Sequence, residues 1–443
     1  MNVSVKREQS EFTHSAKYEK GRMKSKVVII AGGQGTRIAS VNSEIPKAMI
    51  PVCGKPIIEH EVELCKRYGF TDFLFIIGYM GDQISSFFGD GSKWGVNIEY
   101  YQETQPLGTA GALGYLKDKL TEDFFVFYGD TIVDFDMPAM LKYHQDKNAD
   151  ATLFLHPNDH PYDSDIVELD AEGKVLRFDN KPHPDDFVSK NIVNAALFIF
   201  SPKILTQIEV GVKSHIEKHV LPRCLEAGMN LYGYISPEYI KDMGTPDRYE
   251  AVCHDFESGK VARLNKKNPR PAIFLDRDGT INEEVNLLNK PEQLKLIEGA
   301  AEAIRLINKS DYLAIIVTNQ PVIARNLCSI EELEYIHASL ETMLGKERAY
   351  VNAIYYCPHH PDKGYPEERP EYKIDCDCRK PKPGMLLQAA KDWNIDLSKS
   401  YMIGDSDRDL KVGKNAGCKD SIVIKTNEPN ALLNAVKEII TKN

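Results

Sequence analysis

The chain has 443 residues and a formal net charge of −10, with 42% hydrophobic and 27% charged residues. This length predicts two or three domains of ordinary globular composition. The acidic balance excludes a general nucleic-acid or membrane-surface binder, and no apolar stretch approaches the roughly 20 residues that cross a bilayer. We therefore expect a cytoplasmic protein with small-molecule substrates and no nucleic-acid or membrane partner; an oligomer is compatible with the sequence.

Residues 1–25 are polar and aperiodic, which predicts a disordered lead-in. After them, apolar runs alternate with helix-like stretches such as 57–68, and a polar, basic segment at 256–270 predicts a linker. The alternation is typical of buried parallel strands with crossover helices, and it predicts an α/β fold for both 26–255 and 271–443. The predicted strands are 27–30, 73–77, 124–128 and 197–200, then 272–275, 313–317, 354–356 and 401–403.

The first apolar run leads into AGGQGTR at residues 31–37. Gly32, Gly33 and Gly35 have no side chains, so backbone N–H groups can approach phosphate oxygens there, and Arg37 can bind two such oxygens. Alone, this pattern is also compatible with a simple tight turn, because it lacks the Walker lysine and the dinucleotide-binding spacing.

Two further segments follow in order, IPKAMIPV at 45–52 and PLGTAGAL at 106–113. Together the three segments resemble the sugar-1-phosphate nucleotidyltransferases. The resemblance implies a Rossmann-like, GT-A-like domain that joins a sugar 1-phosphate to the α-phosphorus of a nucleoside triphosphate and expels pyrophosphate. The implied site has Arg37 and Lys47 as catalytic cations, Gly32, Gly33, Gly35, Thr36 and Gly108 around the nucleotide, Lys181 and Asn194 at the sugar phosphate, and Asp130 and Asp242 as ligands of Mg²⁺.

Nucleotide and sugar identity depend on smaller details. The PLGTAG segment resembles the guanylyl-transferring members, which favours GTP. The sugar-pocket segments depart from the family pattern, with NKP at 180–182 and NAA at 194–196. The stretch 160–170 receives no role beyond leading into a hairpin through Glu172 and Gly173.

In the second half, Asp276 and Asp278 follow an apolar run, and TNQ at 318–320, RKPKPGM at 379–385 and GDSDRD at 404–409 come after them. A DxD turn alone can be a helix cap. The four pieces in this order resemble the haloacid dehalogenase superfamily, which implies a Rossmann-like phosphatase domain. The resemblance implies Asp276 as nucleophile, Asp278 as acid and base, Thr318 and Lys380 as phosphate contacts, and Mg²⁺ on Asp276, Asp405 and the Asp278 carbonyl, with Asp409 orienting these ligands.

Between these pieces lie CPHH at 357–360 and CDC at 376–378. Two close-set ligand pairs flanking a polar loop indicate structural zinc rather than thiols packed as small apolar groups. We expect Cys357, His359, Cys376 and Cys378 as ligands, with His360 as the alternative to His359.

This zinc loop resembles that of the heptose 1,7-bisphosphate phosphatases and, more loosely, of the histidinol phosphatases. Asn319, Arg325 and Arg379 are then implied substrate contacts, although TNQPVIARN at 318–326 departs from the usual Ser-Gly pair after TNQ. Because removal of the 7-phosphate leaves a sugar 1-phosphate, the two halves together predict a bifunctional enzyme of GDP-heptose synthesis, with the α anomer expected. The alternatives are another sugar 1-phosphate, such as mannose 1-phosphate, with a different phosphatase, or one catalytically silent domain.

Overall fold

The structure, a computed structural model, describes residues 23–33, 44–362, 364 and 368–442. The described helices are α1 Ile57–Arg67, α2 Gly81–Phe88, α3 Met137–Asp146, α4 Leu221–Glu226, α5 Pro246–Glu257, α6 Lys260–Arg263, α7 Ala300–Lys309, α8 Ile330–Lys346, α9 Gly384–Trp393, α10 Asp407–Ala416 and α11 Ala431–Lys442. The described strands are β1 Val27–Ala31, β2 Pro51–Val52, β3 Lys55–Pro56, β4 Asp72–Ile77, β5 Asn97–Gln102, β6 Phe124–Tyr128, β7 Thr131–Asp134, β8 Ala151–His156, β9 Ile166–Leu169, β10 Val175–Asp179, β11 Val193–Phe200, β12 Leu231–Ile235, β13 Tyr239–Asp242, β14 Ala272–Leu275, β15 Leu313–Asn319, β16 Ala353–Cys357, β17 Tyr401–Gly404 and β18 Asp420–Val423.

The first domain is built on a nine-stranded sheet in which β10, β9, β11, β6, β1, β4 and β5 are neighbours in that order, while β8 and β12 pair beside β11. Its centre is β1, which runs parallel to both β4 and β6, so that Val28 lies beside Leu74 and Val126. These strands are buried on both faces, as their continuous apolar sequences predict. The carboxyl ends of β1 and β6 therefore open at the same edge of the sheet.

One predicted strand has the opposite direction from that expected. The run at 197–200 forms the end of β11, which pairs antiparallel with β6, so the prediction of a parallel strand there is wrong. A run that is buried on both faces looks the same in either direction, and β11 is reached from the antiparallel pair β9 and β10. The predicted hairpin at Glu172 and Gly173 joins these two strands, with Gly173 at φ +82°.

The second domain contains a five-stranded parallel sheet with the order β16, β15, β14, β17 and β18. The four strands predicted from its apolar runs are all present. Because every strand points the same way, the segments after β14, β15 and β17 gather at one edge. These segments carry the aspartates and the TNQ sequence singled out above.

Two predicted segments lie outside the two sheets, namely the lead-in and the linker between the domains. Most of the predicted lead-in lies outside the described residues, whereas Met23 donates its N–H to the carbonyl of Gly69 at 3.0 Å. The segment predicted as a linker contains α6, whose Val261 packs with Leu264 against the apolar side of α5. Among the described helices, none combines the length and apolar character that a bilayer span requires.

Candidate active sites

A cavity of about 380 Å³ opens at the carboxyl ends of β1 and β6. The sequence-predicted residues in its wall are Gly32, Gly33, Lys47, Gly108 and Asp130. The others in the wall are Ile30, Ala31, Ala48, Glu103, Pro106, Thr109, Tyr128, Gly129, His215 and Gly244. Gly35, Thr36 and Arg37 lie outside the described residues. Glycine backbone, one lysine and two carboxylate side chains thus line a space large enough for a small ligand.

Lys47 and Asp130 meet inside this cavity, where the ammonium of Lys47 contacts Oδ2 of Asp130. Asp130 is the second residue after β6, and its carbonyl accepts the N–H of Met243 at 3.0 Å. The adjoining strands β7 and β13 pair antiparallel and set Asp242 opposite Thr131. Local pairing therefore brings both predicted magnesium ligands to the same side of the first domain.

Asp242 is held in its ionised form. Burial raises the pKa of this carboxyl, but the charge and hydrogen bond of Arg248, with the N–H of Gly244, bring it below the ordinary value. The Gly244 N–H reaches Oδ1 of Asp242 at 2.9 Å. A carboxylate that is ionised throughout the physiological range is suited to binding a cation.

Gly108 also belongs to the wall of this cavity. Its φ is +75°, and a Cβ there would lie 2.3 Å from the carbonyl oxygen of Ser214. Ser214 also receives the N–H of Ala110 and donates its own N–H to Leu107, at 3.0 and 2.9 Å. The PLGTAG segment is therefore fixed against the residues before α4, and only glycine fits at position 108.

Two acidic residues near this cavity were missed in the sequence. Glu217 is partly buried and accepts a hydrogen bond of 2.5 Å from the hydroxyl of Tyr128. Glu103 accepts the N–H of Leu107 at 3.2 Å, and a Cβ on Gly32 would lie 2.3 Å from its Oε2. Glu103 lies three residues before Pro106 of PLGTAG, and Glu217 follows the apolar Ile216. An acidic residue near a recognised or apolar segment was therefore the available signal.

Lys181 and Asn194 are not part of the cavity wall formed by the described residues. Lys181 instead donates to the carbonyl of Asp163 at 2.8 Å, and its N–H reaches Oδ1 of Asp165 at 3.2 Å. The side chain of Asn194 accepts the N–H of Ala196 at 3.1 Å. Both residues thus stabilise the loops around the β9 and β11 strands.

In the second domain, Asp276 follows β14 and meets the buried ammonium of Lys380. The Nζ of Lys380 lies 2.9 Å from Asp276 and 2.6 Å from Asp409. Carboxylate oxygens of Asp276, Asp405 and Asp409 lie within 4.8 Å of one another and could hold a metal ion. Burial raises the pKa of Asp276 to about 7, against the opposing charge of Lys380.

Asp278 faces a different set of partners. Both of its oxygens accept from the fully buried guanidinium of Arg277, and Asn282 and Gln320 add hydrogen bonds of 2.9 and 2.8 Å. Burial raises the pKa of Asp278, but the Arg277 charge and these hydrogen bonds bring it below its ordinary value. Its carboxylate is outside the three-carboxylate group, which is compatible with the predicted ligand being its carbonyl. Gln320 and Arg277 were not predicted to act there, although Gln320 belongs to TNQ and Arg277 lies between Asp276 and Asp278.

The TNQ segment connects these groups. Gln320 donates to Oγ1 of Thr318 at 2.9 Å. Asn319 exchanges two hydrogen bonds with the backbone of Lys380, at 3.0 and 3.1 Å. A Cβ on Gly279 would lie 2.1 Å from Oδ2 of Asp405, so the turn after Asp278 needs glycine. The motifs identified one by one in the sequence therefore form one centre.

Cys357, His359, Cys376 and Cys378 converge into one four-residue cluster. The three sulfur atoms are 3.1–3.4 Å apart, and Nδ1 of His359 lies 3.4 Å from the Cys378 sulfur. Hydrogen bonds from Cys357 lower the pKa of the Cys378 thiol to about 5, although burial opposes this. Three sulfurs and one imidazole are a donor set that fits zinc.

One of the two arginines predicted to contact substrate is bonded to the cluster. Arg379 donates to the carbonyl of His359 at 2.9 Å, next to Lys380 in the chain. His360 is not part of the cluster, and its backbone N–H donates to the carbonyl of Tyr372 at 3.1 Å. Arg325 follows the buried residues Val322 and Ile323, in a turn where its N–H reaches the carbonyl of Pro321 at 2.9 Å.

Family models match both domains. The nucleotidyl transferase family matches residues 26–259, more than half of the chain. A HAD-hydrolase-like family matches residues 377–437. The first match covers the cavity, and the second covers Cys378 of the zinc cluster and Lys380, Asp405 and Asp409 of the phosphatase centre.

Curated relatives also fall into two groups. D-glycero-beta-D-manno-heptose-1,7-bisphosphate 7-phosphatase of Pasteurella multocida is 42% identical over 160 residues, which is 36% of this chain and 84% of that protein. Probable mannose-1-phosphate guanylyltransferase 3 of Oryza sativa is 34% identical over 230 residues, 51% of this chain and 62% of that protein. UTP–glucose-1-phosphate uridylyltransferase of Synechocystis is 30% identical over 242 residues, again 51% of this chain and 62% of that protein. The chain thus spans less than two thirds of these two transferases.

Proposed function

We infer the function from membership in two families: the chain belongs to the nucleotidyl transferases through residues 26–259 and to the heptose 1,7-bisphosphate phosphatases through its second domain. The second domain hydrolyses the 7-phosphate of D-glycero-D-manno-heptose 1,7-bisphosphate. The first domain joins GMP from GTP to the resulting heptose 1-phosphate and releases pyrophosphate. One observation carries this proposal: the chain joins a domain similar to a phosphatase named for removing a 7-phosphate to a domain similar to transferases named for sugar 1-phosphates.

In the transferase site, the glycine-rich turn and Lys47 bind the phosphates. Backbone N–H groups at Gly32 and Gly33 face the triphosphate, and Arg37 adds a second cation. Lys47, which contacts Asp130, lies where negative charge gathers as the acceptor phosphate attacks the α-phosphorus. Asp130 and Asp242 are the residues that would hold Mg²⁺, which supplies neutralising charge when it is bound.

In the phosphatase site, the Asp276 carboxylate attacks the 7-phosphorus while the bond from phosphorus to the sugar oxygen breaks. Asp278 gives its proton to the departing oxygen, and water then cleaves the aspartyl phosphate with Asp278 taking a proton from it. Arg277 keeps Asp278 ionised before substrate binds, and the negative charge of a bound phosphate raises the pKa of Asp278 toward protonation. Asp276 and Asp405, with the Asp278 carbonyl, would hold Mg²⁺.

The zinc cluster has a structural role in this scheme. Four protein ligands leave no open position, so the chemistry that zinc supplies is a rigid crosslink of the loop. That loop carries Arg379, whose guanidinium bonds to the carbonyl of the ligand His359. Arg379 and Arg325 bind the distal 1-phosphate in this scheme, and Lys380 contacts the transferring group.

A coupled assay on the full chain tests the proposal. Heptose 1,7-bisphosphate, GTP and Mg²⁺ are supplied, and phosphate, pyrophosphate and GDP-heptose are followed with both anomers. We expect all three products from the wild type, with the α anomer preferred by the transferase. The variant D276N serves as the internal control: it stops phosphate release but still makes GDP-heptose from added heptose 1-phosphate.

The assay also separates the alternative sugar and nucleotide. The rice relative is named for mannose 1-phosphate, which favours mannose as the second candidate. Pyrophosphate release with mannose 1-phosphate but never with heptose 1-phosphate would overturn the sugar assignment. Release with UTP and not with GTP would overturn the nucleotide assignment in the same experiment.

A further inference from the structure

We propose that helix α8 of the phosphatase domain contributes to nucleotidyl transfer. Its residues Glu341 and Thr342 position the segment that leads to the sugar 1-phosphate side of the transferase site. This inference rests on the proposed transferase function. It deepens that function by naming positioning residues supplied by the other domain. The fusion of the two domains then keeps the two active sites in equal number and also lets one domain stabilise the substrate-binding loops of the other.

The first observation is a set of hydrogen bonds between the domains. Oγ1 of Thr342 accepts the N–H of Ser189 and donates to its carbonyl, each at 3.1 Å. Oε2 of Glu341 accepts the N–H of Asn191 at 2.7 Å. Lys190 adds an ion pair with Glu334 at 2.5 Å. Three consecutive transferase residues are therefore held by side chains of α8, directly before β11 begins.

A buried network continues from this contact into the first domain. The side chain of Asn191 bonds to the N–H and carbonyl of Asn158 at 3.1 and 2.7 Å. Nδ2 of Asn158 then reaches Oγ of Ser164 at 2.9 Å, and the carbonyl of Ser164 accepts from His183 at 2.7 Å. Asn191 and Asn158 are only 4% and 8% exposed, so each of these polar groups depends on its partner.

Close packing adds a second, independent contact with the same region. A Cβ on Gly345 of α8 would lie 2.6 Å from Cγ of Pro161. Pro161 begins the short helix Pro161–Asp163, and the carbonyl of Asp163 accepts a hydrogen bond from the ammonium of Lys181. Helix α8 thus contacts the stretch 160–170 directly at Pro161 and reaches Ser164 through Asn191 and Asn158.

The supported loops carry the residues predicted for the sugar phosphate. Asn194 is the second residue of β11, three positions after Asn191, and Lys181 is bound to Asp163 and Asp165. The nucleotide-facing residues Gly32, Lys47 and Gly108 lie in other segments, none of which bonds to α8 in the described part of the chain. Loss of the support should therefore weaken acceptor binding and spare nucleotide binding.

The test compares full-length variants at Glu341 and Thr342. Glu341→Ala and Thr342→Val remove the hydrogen bonds to Asn191 and Ser189, whereas Glu341→Gln keeps an acceptor for the Asn191 N–H. Glu331→Ala, at an exposed position of the same helix, is the matched control. Pyrophosphate release is measured against sugar 1-phosphate and against GTP, and phosphate release is measured from the bisphosphate. The acceptor is whichever sugar 1-phosphate the wild type uses fastest.

We expect Glu341→Ala and Thr342→Val to raise the KM for the sugar 1-phosphate roughly tenfold, as one lost buried hydrogen bond would. The KM for GTP and the phosphatase kcat/KM should stay within about twofold, and Glu341→Gln should restore wild-type behaviour. An unchanged acceptor KM overturns the inference, and so does a parallel loss of both activities and of thermal stability. A wild type that transfers nucleotide to no sugar 1-phosphate instead overturns the proposed function itself.

Discussion

The ammonium of Lys380 lies 2.9 Å from Oδ1 of Asp276, in a place where Lys380 is only 3% exposed. Asp409 shares the same ammonium at 2.6 Å. A buried lysine between two carboxylates has little freedom to move, so its charge is aimed at the atoms around the Asp276 nucleophile. Such preorganised charge is the reason why Lys380 is the first position to test.

Replacing Lys380 with methionine should lower phosphatase kcat/KM by about 10²–10³-fold, since the buried positive charge disappears beside the reacting phosphate. Transferase rates with added sugar 1-phosphate should not change. Lys382→Met is the matched control, because Lys382 is exposed and pairs with Asp375. Phosphate release gives the readout, and equal activity of the two variants would show that the Lys380 charge is not used.

Lys47 is expected to have the same importance for the transferase site as Lys380 has for the phosphatase site. Lys47→Met should reduce pyrophosphate release by about 10²–10³-fold, because the only described lysine in the cavity wall is lost. Lys55→Met provides the control, since Lys55 pairs with Glu63 at the surface. Phosphatase activity is measured on the same samples, and a joint fall of both activities would contradict the assignment of Lys47 to the transferase alone.

The success of the sequence predictions varied with the kind of signal. The strands of the second domain were predictable because a continuous apolar run between polar segments defines a buried parallel strand. The direction of β11 was not, because burial of Phe198 and Phe200 is the same for parallel and antiparallel pairing. Hydrophobicity gives the location of a strand and not its orientation.

Some residues of the candidate sites were predictable from the sequence and others were not. Cys357, His359, Cys376 and Cys378 could be grouped because ligand pairs are short-range features of the chain. Arg277, Gln320 and Glu217 owe their placement to contacts between distant segments, such as the bond from Tyr128 to Glu217. The contact from Glu341 to Asn191 joins residues 150 positions apart, and no local pattern encodes it.

Removal of one cluster cysteine should release the bound metal. Cys378→Ser leaves two thiolates and one imidazole as ligands. We expect the zinc content, measured by mass spectrometry, to fall from about one ion per chain to a small fraction of that. Phosphatase activity should fall with it because Arg379 loses its anchor at His359, while nucleotidyl transfer continues. Cys418→Ser, outside the cluster, should keep the zinc. A wild type that carries no zinc would refute this prediction.

The pH dependence of stability should depend on Glu341. Burial raises its pKa to about 7, with Lys190 and the N–H of Asn191 acting against this and Glu334 adding to it. The unfolded chain releases this proton near pH 4.3, so between about pH 4.5 and 7 the folded chain binds more protons. The free energy of unfolding attributable to Glu341 therefore falls as pH rises through this window.

Glu341→Gln has no proton to lose at this position, so the stability of the wild type relative to this variant should decrease from about pH 5 to 8, by on the order of 2 kcal/mol. Thermal unfolding of both proteins at the two pH values measures the change, and other titrating groups cancel in the difference. Glu331→Gln, at an exposed position on α8, is the control. The stability difference between the wild type and this variant should change much less with pH. If the wild type and Glu341→Gln differ equally at both pH values, Glu341 is already ionised in the folded chain and the contact with Asn191 is made by a carboxylate.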